Sequence, residues 1–323
     1  MNFNPRSDPL TLPIYDDLPR MEGIGLAHSW NVYGKNDEFG TLNNIDNQVV
    51  VASLTEATTG ERIGLTLPTN AINPPLYQRQ PLRHTFIPVS RNIWDDKLDD
   101  FYPQASSQWD GFRHVRCREF GFYGGVTLNP SEMGTRLGIQ SWAESGIIGR
   151  GVLLDVERHL VHCGQDYDPL SEISVTPELL AEVAKAQNVE IRKGDILCIR
   201  FGWINRYRSL SKDARVAYAS TQKSPPYAGL SADEETARQL WNWQISAVAC
   251  DNPGAEVSPG NPEIGSLHRR LIPGLGMVIG ELMNFEILSQ RCVQDNRWTF
   301  LFVAVPTNIV GGVGSSANAV AIR

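Results

Sequence analysis

The sequence lacks the patterns that mark several large classes of protein. Of its 323 residues only five are cysteine: Cys117, Cys163, Cys198, Cys250 and Cys292. They are odd in number and scattered, with no Cys-x-x-Cys pair, so neither a disulfide framework nor a thiolate zinc site is supported. No apolar run is long enough to cross a bilayer. The opening MNFNPRSDPLTLPIYDDLPR lacks the basic-then-apolar order of a secretory leader. An excess of positive charge is missing too: the formal net charge is −7 and the pI near 5.4, which argues against a nucleic-acid partner. A cytoplasmic, reduced setting with no membrane association is the expectation. No Gly-x-Ser-x-Gly is present, and Cys117 has no activating context beyond Arg116 and Arg118. No lysine follows Gly311-Gly-Val-Gly314-Ser-Ser in the place a phosphate loop needs, so that tail reads as a tight backbone turn packed near a site.

What is present is an ordinary globular composition, 41% hydrophobic and 20% charged, in a chain long enough to bury a large core. Residues 1–35, rich in Pro, Gly and Asn, read as an extended arm laid over the body, and the arm as a whole is assigned to 1–40. Thr41–Ile45 and Val49–Leu54 suit a capped turn and a short helix. Arg62–Leu67 reads as a strand, and residues 85–105 as a polar surface loop. Ile139–Gly146 reads as a short helix ended by glycine, and Gly151–Val156 as a buried strand. Thr176–Gln187 has a Thr cap, a proline in its first turn and an apolar stripe, which predicts a helix. Strands are expected at Gly194–Arg200, Ile245–Asp251, Gly276–Glu281 and Phe300–Val305. A helix is expected from Ser231 to Asn242, with Ser231 as cap and Glu234 at the capping-box position. Strands alternating with helices predict an α/β fold with a mixed sheet. No break in composition divides the chain, so residues 41–323 are expected to form one domain.

Six histidines limit the search for chemistry. His159 and His162 read as helix-end residues, and His28 beside Trp30 as a structural hydrogen-bonding residue. His84 precedes a strand-like run and is a candidate substrate-facing residue. In Gln104-Ala-Ser-Ser-Gln108-Trp-Asp110-Gly-Phe-Arg-His114, a helical course would place Asp110 against His114 at i+4. That pair is either a carboxylate-oriented general base or a buried hydrogen-bonded pair without chemistry. Glu281 ends an apolar strand, thirteen residues after His268, as a surface acid or as a site ligand. Asp251 and Glu256, around Asn252-Pro253-Gly254, sit at a strand end, as site loops often do, and a structural turn is the favoured reading. Trp142 and Trp203 read as core. Trp109, next to Asp110, is the tryptophan expected near a ligand.

Further stretches stand out in order: Tyr33-Gly-Lys-Asn-Asp-Glu-Phe-Gly-Thr-Leu-Asn43, Gln108-Trp-Asp-Gly-Phe-Arg-His114, Gly149-Arg-Gly-Val-Leu-Leu-Asp-Val156, Gly194-Asp-Ile-Leu197, Tyr227-Ala-Gly-Leu230, Ala249-Cys-Asp-Asn-Pro253, His268 to Glu281, and Gly311-Gly-Val-Gly-Ser315. In these stretches the chain resembles, nearly end to end, the cyclase family that includes kynurenine formamidase-like and isatin hydrolase-like enzymes. The resemblance implies a swivelling β/β/α fold, usually in homodimers or homotetramers, and a zinc- or manganese-dependent hydrolase. It implies a signature His-x-x-x-His-x-Asp-x-x-x-His, in which Asp110 matches a metal ligand and His114 the general base. His268 and Glu281 match a downstream ligand pair. Gln104 and Gln108 stand where the family has two ligand histidines, and an amide oxygen is a weaker zinc ligand than imidazole.

The expected site is therefore one divalent metal, Zn or Mn, on Asp110, His268 and Glu281, with His114, Asp110 and Gln108 catalytic and Trp109, Gln104 and His84 facing substrate. The expected function is hydrolysis of an amide, lactam or lactone of a cyclic or aromatic small molecule by a metal-bound water. The alternative is a metal-free acid–base enzyme on the same scaffold, performing cyclisation, dehydration or isomerisation. In that version Gln108 and backbone N–H groups would stabilise developing negative charge. An idle relative that binds a small ligand or a partner is a third possibility, against which the retained Asp110, His114, His268 and Glu281 argue.

Overall fold

Short apolar runs at residues 152–154, 196–199 and 247–250 become the most deeply buried strand segments of the chain. A computed structural model describes residues 11–221 and 224–323. Its strands are β1 (Arg62–Gly64), β2 (Arg83–Ser90), β3 (Ile93–Asp99), β4 (Gln108–Asp110), β5 (Ile147–Asp155), β6 (Ser174–Val175), β7 (Ile196–Arg200), β8 (Gly229–Leu230), β9 (Ala247–Cys250), β10 (Val278–Glu281), β11 (Thr299–Ala304), β12 (Gly314–Ser316) and β13 (Ala319–Ile322). Nine of them form one curled half-barrel sheet in the order β1-β13-β11-β5-β7-β9-β10-β4-β12. The centre, β5-β7-β9-β10, is parallel. Parallel strands are covered on both faces, which is why Val152–Leu154 and Ile196–Ile199 can be apolar without alternation and are fully buried. The remaining pairings of this sheet are antiparallel.

The α/β architecture agrees with the expectation, and local chemistry explains most element ends. The helix Asn47–Ser53 starts at Asp46, whose side chain accepts from Val49 N at 2.8 Å. Thr176 caps the helix Pro177–Ala186, and Gly146, at φ 72°, ends the helix Gln140–Ser145. One cap differs. The helix Glu234–Asn242 begins at Asp233, which accepts from Thr236 N at 2.8 Å. Ser231 instead donates to the Asp233 carboxylate at 2.5 Å. A carboxylate nearer the first turn out-competes the earlier hydroxyl as acceptor.

Residues 85–105 are not a plain loop. Most of them belong to a hairpin of β2 and β3 whose side chains are almost all exposed. His84, Phe86 and Pro88 share one face with Trp94, Asp96 and Leu98. Of the N-terminal segment, residues 1–10 lie outside the described residues. From Thr11 onward it crosses the body through long-range bonds, such as Trp241 Nε1 to Pro13 O at 2.9 Å and Ser29 Oγ to Leu275 O at 2.7 Å. No described helix is long and apolar enough to cross a membrane. The five cysteines are free thiols, and only Cys163 is exposed.

Candidate active site

The candidate site forms where the sheet changes from parallel to antiparallel. β10 runs parallel to β9 and antiparallel to β4, with Glu281 opposite Gln108 and Ile279 opposite Asp110. Successive side chains of a strand point to opposite faces. Gln108, Asp110 and Glu281 therefore share a face, and Trp109 takes the other. The segment leaves β4 through Gly111, whose N–H donates to Val313 O at 2.9 Å. A Cβ there would lie 2.6 Å from that same carbonyl oxygen, so this close approach requires glycine. The chain then turns, with His114 N bonded to Gly111 O at 2.9 Å. A strand and a turn, not a helix, set the Asp110–His114 relation.

Arg113 fastens this turn. Buried, its guanidinium donates to the carbonyls of Pro130, Gly134, Arg136 and Gly311. His268 arrives from a different direction, on the short helical turn Leu267–Arg269, which runs into a wide π-type turn through Pro273 and then into β10. Turns of that kind recur at functional sites.

Donor atoms of Asp110, His268 and Glu281 all lie within 4.8 Å of one another. His268 Nε2 is 3.0 Å from Glu281 Oε1, and its Nδ1 is 2.8 Å from Glu256 Oε1. Burial alone would lower the His268 pKa, but the Asp110, Glu256 and Glu281 carboxylates outweigh it and hold the ring well above its ordinary value. Burial and the neighbouring Asp110 charge raise Glu281, with His268 opposing. For Asp110 burial works upward too. There the His114 and His268 imidazoles and Arg79 prevail, leaving the carboxyl below its usual range. His114 Nε2 lies 3.7 Å from Asp110 Oδ1, with a side chain 29% exposed. That distance is an electrostatic contact, too long for a hydrogen bond.

The donor set fits a divalent cation. Both carboxylate oxygens of Asp110 and Oε1 of Gln108 are buried and lack a hydrogen-bond partner among the described residues. Buried acceptors without donors are costly, and they are rare unless a cation or water satisfies them. One imidazole with several oxygens suits zinc or a harder ion such as manganese. The carboxylates that raise the His268 pKa favour a proton on its ring, and a cation bound at Nε2 would displace that proton. Metal and proton therefore compete for the same nitrogen.

Several expected residues are placed otherwise. Trp109 is fully buried, edge-on to Phe302, with its indole N–H bonded to Ala317 O at 3.1 Å. It is a core residue, because strand alternation turns it away from the site. His84 stands on the exposed hairpin, paired with Asp96, and does not line the cavity. Gln104 also lies off the cavity lining, but its backbone carbonyl accepts from Arg79, which does line it. Gln108 Nε2 donates to Glu281 Oε2 at 2.5 Å. The opposite amide orientation would set two acceptors against each other, so this N–H is not free for an oxyanion. His28 stacks on Trp30 with ring centroids 4.3 Å apart, and its Nδ1 has no hydrogen-bond partner among the described residues. Asp251 holds the turn after β7 by accepting from Phe201 N and Gly202 N. Glu256 is different. It faces His268, and a turn motif gives no sign of that.

Above these residues opens a cavity of about 580 Å³, lined in part by Tyr77, Arg79, His114, Tyr227, Glu256, His268 and Glu281. Its volume suits a small molecule. A mixed half-barrel sheet carrying a largely buried His, Asp and Glu group at the carboxyl end of a central strand defines an α/β protein with a candidate cation site.

Comparisons with known proteins agree with that class. The model of the family described as "Putative cyclase" matches residues 26–257. The chain belongs to this family. A crystal structure described as a novel cyclase superposes with a TM-score of 0.80 at 28% identity, covering 92% of this chain and 99% of that one. Isatin hydrolase A from Labrenzia aggregata, bound to benzyl benzoate, gives 0.59 at 15% identity over 85% of this chain and 97% of that one. Isatin hydrolase A from Ralstonia solanacearum gives 0.58 at 13% identity over 85% and 95%. The last two share the fold. No curated protein matches the sequence.

Proposed function

We propose that this protein is a metal-dependent hydrolase that opens an amide, lactam or lactone bond in a small cyclic or aromatic molecule. One observation carries the reading. Asp110, His268 and Glu281 bring ligand atoms within 4.8 Å of one another, and His114 stands beside them on the lining of the cavity. A divalent cation there would supply a Lewis acid, able to acidify water and to polarise a carbonyl oxygen.

The chain's own residues do the rest. His114 is the most exposed member of the group and has one ring nitrogen toward Asp110. It is placed to take a proton from water and return it to the leaving nitrogen or oxygen. Asp110 stabilises the imidazolium formed in between. Glu256 orients His268 through Nδ1, and Gln108 orients Glu281 through its amide N–H. The Gln108 carbonyl oxygen remains as a further neutral donor toward a cation. Isatin, after which two of the relatives are named, is itself a cyclic amide.

A second reading is favoured by the Glu256–His268–Glu281 chain, which holds a protonated imidazole between carboxylates with no metal required. On that reading His114 and Asp110 perform acid–base cyclisation, dehydration or isomerisation. Elemental mass spectrometry of protein purified without chelator separates the two. The hydrolase reading expects about one zinc or manganese per chain, lost in His268→Ala and Glu281→Gln, together with turnover of amides or lactones. Full activity in protein free of stoichiometric metal would overturn it in favour of the second.

A further inference from the structure

The cavity has two chemically different ends. Its floor holds carboxylates: Glu281 and Asp110 with His268 between them, and Glu256 beyond. Its wall and mouth carry Arg79, Arg118 and Arg269. Among the described residues none of these three forms an ion pair with a carboxylate. By contrast, the arginines of the groove beside the helix Val156–His162 are paired: Arg200 with Asp155, Glu157 and Glu286, and Arg158 with Asp155.

Arg79 is the most constrained of the three. Its guanidinium lies over the Tyr77 ring at 5.1 Å, and one N–H donates to the Gln104 carbonyl. The Tyr77 hydroxyl is fixed in turn by Tyr227 at 2.7 Å. Arginine has five N–H donors. Arg113, the structural arginine of this site, directs its donors to four carbonyls, whereas Arg79 gives one hydrogen bond among the described residues. It is half-buried and held in place, and its remaining N–H groups are open to solvent or to a ligand in the cavity. A planar, pre-oriented guanidinium of that kind is matched to a carboxylate. Arg118 and Arg269 are solvent-exposed and add positive potential at the entrance.

We propose that the cavity takes a substrate carrying a carboxylate remote from the bond to be cleaved, with Arg79 as its principal anchor. The inference rests on the hydrolase reading only for which end of the substrate reacts. The carbonyl end faces His114 and the acidic floor, and the anionic end faces Arg79. The carboxylate is not consumed and acts by orienting the molecule.

Matched pairs of small aromatic amides test this, for example 4-acetamidobenzoate against its methyl ester, which has nearly the same shape without the charge. Binding is measured by titration calorimetry on the full chain, with and without added zinc or manganese. The acid is expected to bind about tenfold more tightly than the ester. In Arg79→Gln that preference should fall close to unity, while Arg79→Lys keeps part of it. Arg118→Gln and Arg269→Gln should weaken it only a fewfold, because solvent screens exposed charges. Circular dichroism confirms that each variant is folded.

Equal or weaker binding of the acid, or of every acid tried, overturns the proposal. So does a preference that survives Arg79→Gln but disappears on chelation, because the carboxylate would then sit on the metal. Acid preference lost in Arg79→Gln, in a protein that hydrolyses nothing, would leave this anchor standing and remove the hydrolase reading. Hydrolysis confined to neutral amides would do the reverse.

Discussion

Glu256 Oε1 lies 2.8 Å from His268 Nδ1, and that contact decides which imidazole nitrogen is turned toward Asp110 and Glu281. The same carboxylate accepts from the backbone N–H of Leu267 and from Ser266 Oγ. It therefore fixes both the ring and the turn that carries it. Outer partners of a ligand histidine typically change metal affinity by about 10–100-fold when removed. Glu256→Ala should weaken zinc or manganese binding by that order in a chelator-competition titration. Unchanged affinity in folded variant protein would remove Glu256 from the site.

His114 should matter to turnover more than to structure. Replacing it with Ala is expected to lower kcat by about 10²–10⁴-fold, the usual range for a general acid–base group. Metal content and the thermal midpoint should remain near those of the parent. Steady-state kinetics beside elemental analysis would show it, and a variant with full kcat would exclude His114 as the base.

Trp109 gives the opposite pattern. It sits beside Asp110 in sequence yet packs into the core, so Trp109→Ala should destabilise the fold by about 3–5 kcal/mol. Urea unfolding monitored by circular dichroism measures this. A stable variant with impaired substrate binding would mean that the indole faces the cavity after all.

A pH effect follows from Asp195. Burial raises its carboxyl from 3.8 to about 6, against the opposing pull of Arg150 and the Arg192 N–H. A folded-state pKa above the unfolded one means that the folded form binds the proton more tightly. The contribution to stability is then fully present below about pH 4 and is lost as pH rises through about 6. Between those limits the wild type should lose stability relative to Asp195→Asn by up to about 3 kcal/mol. Denaturation midpoints of both proteins across that range test the sign. Parallel curves would show that Asp195 does not titrate there.

Much of this molecule was legible from residues alone, and the exceptions have identifiable physical causes. The buried parallel strands declared themselves because both faces are covered and the runs are continuously apolar. Thr176 and Gly146 gave true helix ends because their chemistry is local. Spacing and strand-end context single out Asp110, His114, His268 and Glu281, family resemblance gives them their roles, and the fold brings all four together. Trp109 was misplaced because proximity along a strand says nothing about face, and the alternation starting at Gln108 decides it. The β2–β3 hairpin was missed because Pro88 and the Arg91-Asn92 turn give weak strand and turn signals. Glu256 had only the weak signal of a strand-end turn, and Arg79 had none. Their roles depend on a His268 and a Gln104 carbonyl that are distant along the chain and adjacent only once folded.

Gln108, Asp110 and Glu281 stand on facing positions of two paired strands, β4 and β10, whereas much of the cavity wall comes from loop residues, among them Tyr77, Arg79 and the segment Pro253–Ser266. What the site grips and what it admits are thus written in separate stretches of chain. An exchange at position 108 would change the donors offered to a cation without moving a loop, and a lengthened loop would admit a different guest without disturbing Asp110 or Glu281. Such a division lets descendants of one scaffold diverge in chemistry and in diet by single, independent steps.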